Sequence, residues 1–140
     1  MNKELINKCI VDIRFSEVDL LGMAWHGNYV KYLEDGRESF GREFGLKYWD
    51  VYEHGFITPI VKLNIDYKKS LRYGDQAEIH TKYIHAEAAK IILNYTVFRV
   101  QNHDIIATAE TIQVFLNLKG ELHLTVPDFF LDWKKRLGII

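Results

Sequence analysis

Across residues 9–15, apolar side chains alternate around Ile10, Val11, Ile13 and Phe15, the period of two that predicts a first strand. From Asn28 the spacing changes. Tyr29, Leu33, Gly36, Phe40 and Phe44 recur every three or four residues, while Lys31, Glu34, Asp35, Glu38 and Arg42 lie largely on other faces, so a long amphipathic helix is expected. Gly45 is placed to end it as a C′ glycine. Gly36 and Gly41 each cost a helix about 1 kcal/mol relative to alanine, a penalty best tolerated where another backbone comes close. A helix pressed into a curved sheet is therefore expected.

A short helical piece over Trp49–His54 should stop at Gly55. Beyond it the period of two returns. Val61, Leu63, Ile65 and Tyr67 alternate with Lys62, Asn64, Asp66 and Lys68, predicting a strand with one buried face. Ala77, Ile79, Thr81 and Tyr83 continue the pattern, followed by strands over 91–100 and 105–118, with "RYGDQ", "AEAA", "QNHD" and "LKGE" as the intervening turns. Pro127 is suited to the first position of a terminal helix carrying Phe130, Trp133 and Leu137. Strand, long helix, four consecutive strands and a short helix make an α+β pattern with an antiparallel sheet. One face of that sheet meets the helix, and the other is expected to meet a second subunit.

Composition narrows the classes. A chain of 140 residues fits one domain over 1–140, with no room for a separate cofactor domain. A net charge of −1 supplies no positive field to recruit nucleic acid or an anionic membrane. No stretch has the run of apolar residues needed to span a bilayer, and "MNKELINKCIVDIRF" has no apolar signal core, so a cytoplasmic protein is expected. Cys9 stands alone in an apolar strand-like run and reads as a buried small residue, not a nucleophile. Motifs for phosphate cradles, dinucleotides, serine nucleophiles and zinc helices are absent, and the histidines form no ligand pattern, so no metal is expected.

The chemistry concentrates in "FSEVDLLGMAWHGNYVKYLEDGRESF". Asp19 precedes the long helix, and Gly22 lets the chain fold back between them. A carboxylate there could cap the helix, although Asn28, or a residue just before it, serves that purpose as well. It could instead act beside the unpaired N–H groups of a helix start, which suit the oxyanion formed when a carbonyl is attacked. For His26 the backbone N–H is the favoured contributor. Met23, Trp25 and Tyr29 could wall a pocket, but core is the default for such side chains.

At these residues the chain resembles the 4-hydroxybenzoyl-CoA thioesterase family, in which a D-x-x-G-x-x-x-x-x-N-Y pattern precedes the central helix; here it is Asp19, Gly22, Asn28 and Tyr29. "FGLKYW", "TPIVKLNIDY", "RYGD", "IQVF" and "VPDFF" also stand where the family has similar segments. The resemblance implies a hot-dog fold, a sheet wrapped around one helix, in homodimers or homotetramers. It also implies hydrolysis of an acyl-CoA thioester, with Asp19 as nucleophile or general base, the His26 N–H as oxyanion donor and no cofactor. Gly22, Trp25, Asn28 and Tyr29 would bind substrate, joined by Thr58, Pro59 and Ile60 of a partner subunit. Lys68, Lys69 and Arg72 are candidates for the CoA phosphates. Glu17 stands where many relatives have aspartate, and Gly27 where they have alanine. A second branch carries its carboxylate on the helix, where Glu34, Asp35, Glu38 and Glu43 are available. An acyl carrier protein thioesterase and a non-enzymatic thioester binder are the alternatives.

Overall fold

The computed structural model describes residues 3–140, so Met1 and Asn2 of the expected 1–140 domain lie outside it. Strand β1 spans Ile6–Asp12, the long helix α1 Tyr29–Phe44 and the short α2 Tyr48–Glu53. Then follow β2 (Phe56–Ile57), β3 (Ile60–Tyr67), β4 (Gln76–Ile84), β5 (Lys90–Arg99), β6 (Ile105–Val114), β7 (Leu116–Asn117) and α3 (Asp128–Arg136). Five strands form an antiparallel sheet in the order β1-β4-β5-β6-β3, while β2 and β7 pair apart from it.

The inner face of this sheet carries one parity of every strand. Ala77, Ile79, Thr81 and Tyr83 of β4 and Ile91, Leu93, Tyr95 and Val97 of β5 are buried against Tyr29, Leu33, Gly36 and Phe40 of α1. The glycine at 36 makes that approach possible: a methyl group there would lie 2.6 Å from Ile79 Cγ2 and 2.8 Å from Thr81 Oγ1. At Gly41 the crowding comes from the helix's own exit, because a Cβ would lie 2.8 Å from the Leu46 carbonyl oxygen. Gly45 ends α1 with φ of 75° and Gly55 follows α2 with φ of 88°, both in the left-handed region that favours glycine. Phe130 and Trp133 of α3 close the core beside Tyr83, and Pro127 stands one place ahead of the helix as its N-cap.

Four expectations need correction. β1 begins and ends earlier than residues 9–15. Its inward side chains are Asn7, Cys9 and Val11, which leaves Ile10 on the exposed face and moves Phe15 into a short 3-10 turn, Phe15–Glu17. Cys9 is only half-buried. The strand expected over 105–118 breaks at Phe115, whose side chain turns fully into the core. Most consequentially, β3 has the predicted alternation but not the predicted burial: Val61, Leu63 and Tyr67 are 60, 37 and 49% exposed. β3 is an edge strand paired, among the described residues, only with β6; of its apolar row Ile65 packs on the core and Tyr67 on Tyr29, while Val61 and Leu63 stay open.

Candidate active site

The loop ahead of α1 is a small hairpin. The Asp19 N–H donates to the Met23 carbonyl at 2.8 Å, Val18 bridges Ala24, and the Trp25 N–H donates to the Glu17 carbonyl at 2.9 Å. Gly22, with φ of 76°, makes the bend. The hairpin is sewn onto the segment after β3, since Met23 bridges Arg72 and the Ala24 N–H donates to the Leu71 carbonyl at 2.8 Å.

Asp19 sits exposed at the turn of this hairpin. Its Oδ1 accepts the N–H groups of Leu21 at 2.8 Å and Met23 at 3.2 Å, so the loop's own amides orient the carboxylate. The chain rises about 3.3 Å per residue, so Asp19 lies roughly 7 Å along the ladder from the Glu17–Trp25 rung, and His26 follows Trp25 directly.

At that rung the chain enters a 3-10 turn, His26–Asn28, that runs into α1. The N–H groups of His26 and Gly27 have no acceptor among the described residues, as expected for the start of a helical run. The Tyr67 hydroxyl donates to the His26 carbonyl at 3.1 Å, and the Tyr29 hydroxyl accepts the Leu71 N–H at 3.1 Å. Tyr29 is thereby buried beneath the loop. Burial pushes its phenol pKa upward, only partly countered by the Leu71 bond. Trp25 is not core. It lies largely exposed, and its indole rests on Gly27 so closely that a methyl group there would overlap the ring.

Asn28 does not cap the helix. Its side-chain amide instead donates to the Glu17 carbonyl at 2.7 Å, tying the helix start back to the hairpin. Glu17 itself, 5% exposed, is the anchor that sequence reasoning treated only as a retained charge. Its carboxylate accepts the Arg14 N–H at 2.8 Å, the Tyr32 hydroxyl at 3.2 Å and the Lys31 ammonium at 3.3 Å. Burial alone would raise its pKa, but the bonds from Arg14, Lys31 and Tyr32 outweigh it and hold the carboxyl below its ordinary value. The sequence gives no sign of this, because Glu17, Lys31 and Tyr32 meet only once the hairpin folds onto the helix.

The remaining candidates divide. Lys68, Lys69 and Arg72 lie exposed after β3, beside the hairpin; Lys69 is paired with Asp104 at 3.1 Å. Thr58, Pro59 and Ile60 are at the other end of β3 from Tyr67, lining a groove of about 900 Å³ with Phe40, Trp49, Leu93 and Gln113. Gln113 donates to the Thr58 carbonyl at 2.7 Å and so shapes the groove floor. Eight residues of extended chain, roughly 25 Å, therefore separate Thr58–Ile60 from Asp19 and His26 within one chain. Glu34, Asp35 and Glu38 of α1 also border the groove, but Glu34 is paired with Arg37, Glu38 with Arg42, and Glu43, which lies outside it, accepts from Asn7. The Asp35 carboxyl is pushed upward by burial and then by Glu38.

Residues 13–134 match the family model of the thioesterase-like superfamily. The chain belongs to that superfamily. YneP of Bacillus subtilis, provisionally named an acyl-CoA thioesterase, is 32% identical over 93 residues, covering 66% of this chain and 67% of YneP. The 4-hydroxybenzoyl-CoA thioesterase of Pseudomonas sp. strain CBS-3 is 27% identical over 115 residues, 78% of this chain and 82% of that one. The fold matches the DHNA-CoA thioesterase of Staphylococcus aureus with a TM-score of 0.82 at 24% identity, over 93% of this chain and 87% of that one. The sheet wrapped on α1 is thus the hot-dog fold, and thioester hydrolysis is the activity of this thioesterase family member.

Proposed function

We propose that this chain hydrolyses an acyl-CoA to the free acid and CoA, with Asp19 as its catalytic carboxylate and the His26 N–H as oxyanion donor. The observation that carries this reading is the pairing of a carboxylate held through one oxygen with helix-start N–H groups that lack acceptors. A thioester carbonyl held between them would need an approach of about 3–3.5 Å on its carbon and a hydrogen bond of about 2.7–3.1 Å on its oxygen.

Two routes conserve atoms and charge. As nucleophile, an Asp19 oxygen bonds to the carbonyl carbon, the C–S bond breaks, the CoA thiolate leaves, and water hydrolyses the resulting anhydride. As general base, Asp19 takes a proton from the water that attacks the carbonyl carbon instead; the C–S bond then breaks and the leaving thiolate takes up that proton. In both, negative charge develops on the carbonyl oxygen facing the helix start, where N–H dipoles stabilise it. An activated thioester needs no further cofactor for either route.

The same reading takes residues 1–140 as one domain and the chain as a cytoplasmic homodimer or homotetramer. The open β3 edge supports it. A second copy paired antiparallel along β3 would bring its Ile60 end beside this chain's Tyr67 end, delivering the partner's Thr58, Pro59 and Ile60 to Asp19. Gly22, Trp25, Asn28 and Tyr29 would then form the near wall. Lys68, Lys69 and Arg72 would face the CoA phosphates.

Turnover of aromatic, short and long acyl-CoAs, and of matching carrier-protein thioesters, tests the proposal. Asp19→Asn should lower kcat on the order of 10²–10⁴-fold in a folded protein; unchanged turnover removes Asp19 from the mechanism. A second reading places the carboxylate at Asp35, because the groove in the single chain is bordered by it and not by Asp19. Loss of turnover confined to Asp35→Asn would favour that reading.

A further inference from the structure

The His26 carbonyl accepts two hydrogen bonds. The Tyr29 N–H reaches it as part of the 3-10 turn, and the Tyr67 hydroxyl reaches it at 3.1 Å from the end of β3. The first bond is local and comes with the turn itself. The second joins residues 41 positions apart and starts from a fixed place. Tyr67 is in register with Ala107 of β6, and its ring stands edge-on to Tyr29, with centroids 5.2 Å apart, and to His26, at 6.3 Å. A residue of the sheet thus grips a peptide of the helix start.

That peptide joins His26 to Gly27. Its carbonyl is held by two donors, whereas its N–H, on Gly27, has no acceptor among the described residues. Glycine takes positive and negative φ about equally well, so a peptide beside Gly27 turns over more easily than one beside any other residue. Here Gly27 is outside the left-handed region, and turning the peptide over would break the Tyr67 bond. The same bond acts on polarity, because an amide whose carbonyl accepts hydrogen bonds carries a more polarised N–H. The neighbouring peptide, which carries the His26 N–H, has only the Asn28 N–H on its carbonyl among the described residues. Resting on the oxyanion assignment above, we propose that Tyr67 is a positioning residue for thioester hydrolysis: its hydroxyl holds the His26–Gly27 peptide so that the helix-start N–H groups face the carbonyl oxygen as charge develops on it. Its effect falls on the transition state and not on substrate binding, because that charge is largest there.

Tyr67→Phe tests this, since it keeps the ring and its packing and removes only the hydroxyl. With benzoyl-CoA and decanoyl-CoA as probes, kcat should fall about 2–10-fold, the worth of one neutral hydrogen bond, while KM and the melting temperature stay at parental values. An unchanged kcat overturns the proposal. So does a raised KM at parental kcat, which would make Tyr67 a substrate contact. The amide nitrogen resonance of Gly27 gives a readout free of catalysis. It should move upfield in Tyr67→Phe, because a carbonyl that loses a donor leaves the next amide less polarised; an unmoved resonance also overturns the proposal. Asp19→Asn, measured alongside, separates the two readings. If it is slow while Tyr67→Phe turns over at the parental rate, the role of Tyr67 fails and the Asp19 mechanism stands. If it is fully active while Tyr67→Phe loses kcat and shifts Gly27, the Asp19 assignment fails and the role of Tyr67 stands.

Discussion

Strands β5 and β3 carry the same pattern and meet different fates. Ile91, Leu93, Tyr95 and Val97 are buried, whereas Val61, Leu63 and Tyr67, with the same alternation, face solvent in the single chain. β5 has a neighbour on each side and α1 across its face; among the described residues β3 has one neighbour, and only Ile65 and Tyr67 of its apolar row meet the core and Tyr29. Alternation therefore reports that a strand has an apolar face, while burial depends on what lies opposite. The contrast recurs between two carboxylates two positions apart. Glu17 is buried and bound by three donors, and Asp19 is exposed with its orientation set by two amides. The first holds the loop, and the second is the carboxylate that the proposed mechanism uses.

The strongest way to break the strand comparison is a matched pair of truncations. Leu93→Ala should cost about 2–5 kcal/mol in chemical denaturation, independent of protein concentration. Leu63→Ala should cost under about 1 kcal/mol in dilute protein, as expected for an exposed site, and should instead weaken association in sedimentation. Equal losses in denaturation would mean that the β3 face is covered from within the chain. Between α1 and β4, Gly36→Ala must displace Ile79 and Thr81, β-branched residues with little rotamer freedom, and should cost about 1–3 kcal/mol by thermal melting.

The carboxylate pair can be sharpened in the same way. Glu17→Gln should lower stability by about 1–3 kcal/mol, because buried donors lose a charged acceptor, whereas Asp19→Asn should shift it by under about 0.5 kcal/mol. A parallel loss in both variants would erase the distinction. The pH dependence follows from the lowered Glu17 pKa. Its stabilisation is fully present above the unfolded carboxylate value and is lost as pH falls through the lower folded value. Glu17→Gln should accordingly flatten the acid limb of the stability curve measured by urea titration.

Much of this could be read from the residues. The period-three-and-four run from Asn28, closed by Gly45, defined α1 to within a residue, the alternation of β4 named its buried row, and the strand expected over 91–100 is β5. Gly36 signalled the close approach of helix and sheet, and Gly22 the bend that returns the chain past Asp19. Asp19, Gly22, His26 and Asn28 gather at the helix start, but spacing left Asp19 a cap as much as a catalytic carboxylate, and the resemblance to the thioesterase family chose between the two. These features are local: periodicity and glycine conformation depend on neighbours within a few residues.

Contacts between distant segments lay beyond such reading. Nothing in the sequence joins Glu17 to Lys31 and Tyr32, turns Asn28 from cap to tie, or lays Trp25 on Gly27. Nor could alternation tell that β3 ends up at an edge, with Thr58 and Asp19 at opposite ends of it. The sequence by itself determined which segments are helix and strand, which rows are apolar and where the reactive groups gather, because side-chain period and backbone preference are short-range. Only the tertiary structure decided which apolar row is covered and which carboxylate is buried, because those depend on strand order and on segments that meet across the fold.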